Sequence, residues 1–207
     1  MSEQGAAPVG LSPELEALVT RLVDERVQGR LQDIESTLAA LKGDSTACAN
    51  CPEDRATLVV FSGEMDTLFA ALTIAVGAAS MGMQVSIFFT FWGLTALRKS
   101  KTYEGKSTAQ KMVAMMLPDG PAKVPTSRMN MGGLGPPFFK YLMQQRNVES
   151  LPNMVALAQE LGVRYVACEM SMGVMGVTRE ELLDGIDYGG VAVYLADAAR
   201  SKITLFV

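Results

Sequence analysis

Residues 66–92 read DTLFAALTIAVGAASMGMQVSIFFTFW, and the fold turns on whether this stretch is one element or two. No charged residue occurs between Asp66 and Arg98, a span long enough for a membrane helix. Its middle argues against one. Ser80, Gly82, Gln84 and Ser86 would sit near mid-bilayer, and the most apolar part, residues 68–79, is too short to cross alone. Before Gly82 the composition is that of a helix. After it, QVSIFFTFW has the β-branched and aromatic content of a strand. The stretch is therefore expected to fold as a buried helix, a glycine turn and a strand apolar on both faces, which is what the interior of a parallel sheet requires.

The pattern repeats on either side. TLVVFSG (57–63) reads as a buried strand ending in a glycine turn at Gly63, and QVSIFFTFWG (84–93) as a second strand with its own turn at Trp92-Gly93. A long irregular stretch follows from about Ala96 to Pro137. Helices are expected at 138–148 and 151–162, a third strand at 163–168, a short capped helix at 178–185, another helix at 189–201 and a last strand at 202–207. Strands separated by helices imply βαβ units, hence an α/β fold with a parallel sheet sandwiched by helices. In such sheets ligands sit beyond the carboxyl ends of the strands. Three parts are expected: an N-terminal arm (1–43), a linker (44–56) and the α/β domain (57–207).

The arm reads as an amphipathic helix from Ser12 to Lys42, with apolar residues at Leu15, Leu18, Leu22, Ile34, Leu38 and Leu41. Ser12-Pro13 supplies an N-cap and first-turn proline, Gly43 a stop, and Gly29 a point of breakage. Its stripe needs a partner, either the domain or a copy of itself in a short coiled coil.

The 207-residue chain has a net charge of -4, three cysteines and no histidine. That charge does not suit a nucleic-acid binder. Without histidine, Ser–His and Cys–His catalysis within one chain is excluded, and the commonest metal ligand is missing. Chemistry must rest on thiols, carboxylates, backbone amides or a bound cofactor. Three cysteines make no disulfide framework, and MSEQGAAPVG has neither a basic n-region nor an apolar h-region, so the cytoplasm is the expected compartment.

Cys168 ends the third strand. A free cysteine usually packs as a small hydrophobe, but a thiol at a strand's carboxyl end, before a helix start, has its thiolate favoured by unpaired amides. An inward-pointing Glu169 would oppose this. Cys48 and Cys51 form CANC before the first strand, badly placed for a thioredoxin-like motif and two ligands short of a zinc site. The readings left open for them are a thiol relay or redox pair, an intersubunit metal site, or no definable role. The fourteen methionines, Met172 among them, suit core and adaptable surfaces. GKST (105–108) lacks the upstream glycine of a P-loop. MGGLGPP (131–137), with Gly132 and Gly133, reads as a loop needing positive φ or close approach to a ligand.

Taken together, LVVFSGEMDTLFAALTIAVGAASMGMQVSIFFTFWGL, the MNMGGLG loop and LPNMVALAQELGVRYVACEMSMGVMG resemble the DsrE/DsrF-like family of small sulfur-trafficking proteins, from about Thr57 to Val207. The likeness is to its longer subgroup with an N-terminal helical extension and a CxxC. The resemblance implies a Rossmann- or flavodoxin-like sheet, a symmetric oligomer, and a sulfurtransferase or sulfur carrier holding a persulfide on Cys168. It also implies partners of rhodanese type as donor and TusA type as carrier. Neither a cofactor nor a metal is expected. Gly63, Trp92, Gly93, Gly132, Gly133, Glu169 and Met172 are the expected pocket residues, and a peripheral membrane contact is the less favoured alternative. Competing readings are an oligomeric scaffold with a structural Cys168, and a thiol oxidoreductase cycling Cys48–Cys51.

Overall fold

Val85 to Phe89 are buried on both faces of the central strand of a five-stranded sheet. The computed structural model describes residues 13–47, 52–128 and 130–207, which fall in two units, Met1–Cys51 and Pro52–Val207. In the second unit the strands are β1 (Glu53–Val60), β2 (Gln84–Phe89), β3 (Arg164–Cys168), β4 (Asp187–Gly189) and β5 (Ser201–Phe206), in the order β4-β3-β2-β1-β5. All pairings are parallel. β2 is registered with Val60↔Phe89 on one side and Phe89↔Ala167 on the other, so the carboxyl ends of β1, β2 and β3 reach one edge.

The alternation of a strand divides the core in two. Leu58, Val60, Ile87, Phe89, Tyr165 and Ala167 face the large cluster under α2 (Met65–Ser80) and α5 (Leu151–Glu160). Val59, Phe88, Val166 and Cys168 face the other way, beneath Val193 and Tyr194 of α7 (Val191–Ala198). The uncharged span is thus a helix, a turn at Gly82 (φ 82°) and the middle strand. Among the described residues, no helix is long and apolar enough to cross a membrane.

Several local expectations are corrected. The second strand stops at Phe89 rather than Gly93: Phe91 takes a φ of 44°, and Phe91–Leu97 winds as a 3-10 turn. The irregular stretch contains α3 (Thr108–Met116), started by a capping box in which Ser107 and Gln110 bond each other's backbone amides. It also leads into α4 (Gly135–Gln145). The expected helix at 178–185 is a single 3-10 turn, Arg179–Glu181, followed by the three-residue β4, which the sequence reading omitted.

The reason lies in Glu181, whose side chain has no exposure to water. Its carboxylate accepts from Arg98 Nη2 at 2.9 Å, from Lys106 Nζ at 2.9 Å, and from the amides of Thr102 (2.7 Å) and Thr178 (2.9 Å). Arg98 is buried as well, and the backbones meet in an antiparallel bridge, Arg98↔Leu182. A helix start that faced solvent could not do this. Burial pushes the Glu181 carboxyl up, but Lys106, the two amides and the Arg98 charge outweigh it and hold it below 4.5.

The first unit is α1 (Pro13–Ala47), continuous through Gly29 where a break was expected. Leu18, Leu22, Val23, Val27, Leu31 and Ile34 are all exposed along it.

Removing one partner of a buried ionic network costs about 3–5 kcal/mol, so Glu181→Gln is expected to lose that much stability in urea unfolding. A group with a depressed folded value stabilises fully above its unfolded value, and its contribution fades as pH falls through the folded one. Wild-type stability should therefore decline below about pH 4.5, and Glu181→Gln should lack that part of the decline. An unchanged midpoint in the variant would show that the cluster contributes nothing.

Candidate functional site

At the carboxyl edge, the turns after β1 and β2 lock together through two glycines. A Cβ on Gly93 would stand 2.3 Å from the Val60 carbonyl oxygen, and one on Gly63 2.6 Å from the Trp92 carbonyl oxygen. No side chain fits at either place. The Gly93 amide donates to Phe61 O (2.9 Å) and Thr90 O (3.0 Å), and the Thr90 amide to Val60 O (3.0 Å). Gly63 and Trp92 line a cavity of about 560 Å³ with Phe61, Glu64, Thr95 and Leu117. Phe61 stacks near Phe91 and Phe206, with centroids 5.6 and 6.2 Å away.

Cys168 ends β3 beside this edge, paired with Gly189 of β4, and is 4% exposed. It occupies the N-cap of α6 (Glu169–Met175), though its sulfur closes no full capping bond. Burial alone would push the thiol up. The Ser171 hydroxyl and amide, the Thr90 hydroxyl and the Met170 amide outweigh it and hold the thiol below 9.0. Thr90 Oγ1 and Ser171 Oγ lie 2.8 Å apart, and both residues are buried. One of their two protons is shared between them, which leaves one for the sulfur. A thiolate is thus stabilised without histidine or a cationic side chain.

Glu169 does not oppose it. Its side chain is half exposed and accepts from Arg179 Nη2 at 2.7 Å, while Arg179 stacks 4.4 Å over the Tyr188 ring. Met172 is buried in the large core cluster under α6. Gly132 and Gly133 take φ values of 67° and 98° in the turn before α4. They face open space, so turn geometry rather than close approach accounts for them. That turn borders a second, apolar cavity with Met131, Leu134, Phe138 and Leu142. Gly63, Trp92, Gly93 and Cys168 thus share the carboxyl edge of the sheet. Glu169 faces outward, Met172 inward, and Gly132 and Gly133 line neither cavity. Cys48 and Cys51 lie outside the described residues. No cluster of three or more His, Cys, Asp or Glu side chains able to hold a metal occurs among the described residues.

The sequence reading missed Thr90 and Ser171. Ser171 carried a signal, a hydroxyl three residues after the cysteine and thus one helical turn on from the N-cap. Thr90 carried only its place at the end of a strand.

Residues 52–206 match the sequence model of the DsrE/DsrF/DrsH-like family. The chain belongs to this family. Among its relatives, the uncharacterized protein YrkE of Bacillus subtilis is 47% identical over 154 residues, spanning 74% of this chain and 96% of that protein. The sulfur carrier protein DsrE2 of Allochromatium vinosum is 28% identical over 159 residues, spanning 75% of this chain and 99% of that protein. The crystal structure of the ychN protein from E. coli overlays with a TM-score of 0.45 at 13% identity, covering 74% of this chain and 99% of that one. The DsrE/DsrF/DrsH-like match takes in β1 to β5 and Cys168 and leaves out α1.

Two substitutions test the hydroxyl pair. Ser171→Ala and Thr90→Val should each raise the pH midpoint of iodoacetamide labelling at Cys168, because each breaks the hydroxyl chain that ends on the sulfur, with Ser171→Ala the larger effect because the Ser171 hydroxyl does more than Thr90 to hold the thiol down. The wild-type midpoint should fall below the 9.0 of an ordinary thiol. Equal midpoints in all three proteins would remove the hydroxyls from the account.

Proposed function

We propose that the protein is a sulfur carrier or sulfurtransferase that holds sulfane sulfur on Cys168. The carrying observation is a buried thiol at the carboxyl end of a parallel strand, surrounded by donors that favour its thiolate. Membership of the DsrE/DsrF/DrsH-like family, with a relative named as a sulfur carrier, supports the reading.

The chemistry balances with no base and no redox partner. The Cys168 thiolate attacks the outer sulfur of a donor persulfide, RSS⁻. The donor's S–S bond breaks as the new one forms, RS⁻ departs, and Cys168 becomes a persulfide anion. An acceptor thiolate then attacks the outer sulfur and releases the Cys168 thiolate. Throughout, one sulfur atom moves and the number of thiolates is conserved. The Ser171 and Thr90 hydroxyls and the Met170 and Ser171 amides stabilise the anion, while Val59, Phe88 and Val166 keep water and stray thiols away. Partners of rhodanese type as donor and TusA type as acceptor, a homo-oligomer, and a reducing cytoplasmic setting complete the proposal.

Incubation with thiosulfate or polysulfide followed by intact-mass measurement tests it. One sulfur adds about 32 Da, and the adduct should vanish in Cys168→Ser. No adduct on the wild type would favour the scaffold reading. A reversible loss of two hydrogens (about 2 Da) on oxidation, mapped to Cys48 and Cys51, would favour the oxidoreductase.

A further inference from the structure

α1 is one continuous helix, yet its apolar residues do not form one stripe. At about 100° per residue, Leu15, Leu18 and Leu22 share one side, whereas Val23, Val27, Leu31, Ile34, Leu38 and Leu41 centre about 140° further round. From Val27 onward the spacing is four, three, four, three, the d-a-d-a-d of a heptad. Gly29 then falls at f, pointing away from the seam, where a missing side chain costs no packing. Asp24 falls at a, and a carboxylate there ends the seam on the N-terminal side. The side chains of Val27, Leu31 and Ile34 are more than half exposed in the single chain, so this seam is unfilled within α1's own unit.

The flanking charges indicate what fills it. Arg30 occupies g and Glu35 the following e. In a parallel, in-register assembly, g of one helix faces e of the next heptad of its neighbour, so Arg30 meets Glu35 of the second copy at every helix interface. Antiparallel pairing sets g against g and e against e and loses this match. We propose that Val27–Leu41 joins the same segment of further copies of this chain as a parallel, in-register coiled coil. Leucine at a (Leu31, Leu38) with β-branched residues at two of the three d positions (Val27 and Ile34, beside Leu41) favours three or four strands over two. The inference is independent of the sulfur chemistry at Cys168.

A seam of two heptads is marginal as an isolated peptide, so the test uses the full chain. In a parallel in-register assembly identical d positions meet, so Ile34→Cys should link to its own counterpart under mild oxidation. Ser36→Cys, at f on the outer face, should not; peptide mass spectrometry distinguishes both from linkages at the native cysteines. On sedimentation, Arg30→Glu and Glu35→Arg should each raise the dissociation constant by about 3- to 10-fold through like-charge contacts. The double variant Arg30→Glu/Glu35→Arg should return it to near the wild-type value. Equal crosslinking at positions 34 and 36, crosslinking at neither, or a double variant as weak as the single ones would overturn the parallel coiled coil.

Discussion

β2 is hydrogen-bonded along both edges and packed on both faces, and the rest of the domain is arranged around that double burial. Its residues Val85 to Phe89 have no exposed side, so the strand tolerates only apolar or small hydroxyl side chains. Ser86 fits because its hydroxyl lies 3.1 Å from Thr57 Oγ1 of β1. Once β2 is fixed, the registers Val60↔Phe89 and Phe89↔Ala167 bring the ends of three strands to one edge. Thr90 begins one residue beyond that register, and Cys168 one residue beyond Ala167. The meeting of a hydroxyl and a thiol across two strands is therefore a consequence of strand pairing, with no dedicated loop to hold it.

Glu181 does for the loops what β2 does for the sheet. Residues 98–106 and 178–182 are irregular, and each would expose or strand polar backbone without a common acceptor. A single desolvated carboxylate collects two cations and two amides from both segments. Two cations against one carboxylate leave the cluster with an excess positive charge, and Arg98 Nε lies buried without a partner.

How far the sequence revealed this follows from the range of each signal. The strand character of VSIFFTF and the helix before it are local, carried by composition within a few residues, and both are present as expected. Cys168 at a strand end was equally local. α3 is local too, but its Ser107–Gln110 box starts inside GKST, a run that also has the form of the end of a phosphate loop. β4 has only three residues, below the length at which alternation can be seen. The Glu181 cluster was hidden for a different reason: TREELLDG has the composition of an exposed helix start, and nothing nearby announces cations 75 and 83 residues away. Thr90 and Ser171, 81 residues apart, are a pair only because the strands are in register.

The near-complete burial of Cys168 sets a limit of another kind, on timing. A cysteine with 4% exposure reacts with a macromolecular thiol only in the fraction of molecules whose cover is momentarily open. The observed exchange rate is then the intrinsic rate multiplied by that fraction, and a cover open in one molecule in a hundred slows exchange about 100-fold. Val193 and Tyr194 of the short helix α7 form part of that cover, and a Cβ on Gly189 would lie 2.6 Å from Val193 Cγ2. A docking protein that loosened α7 would speed exchange with itself while leaving the thiol slow toward every other solute. Selectivity among reaction partners would then reside in the cover, and the sulfur itself need make no distinction.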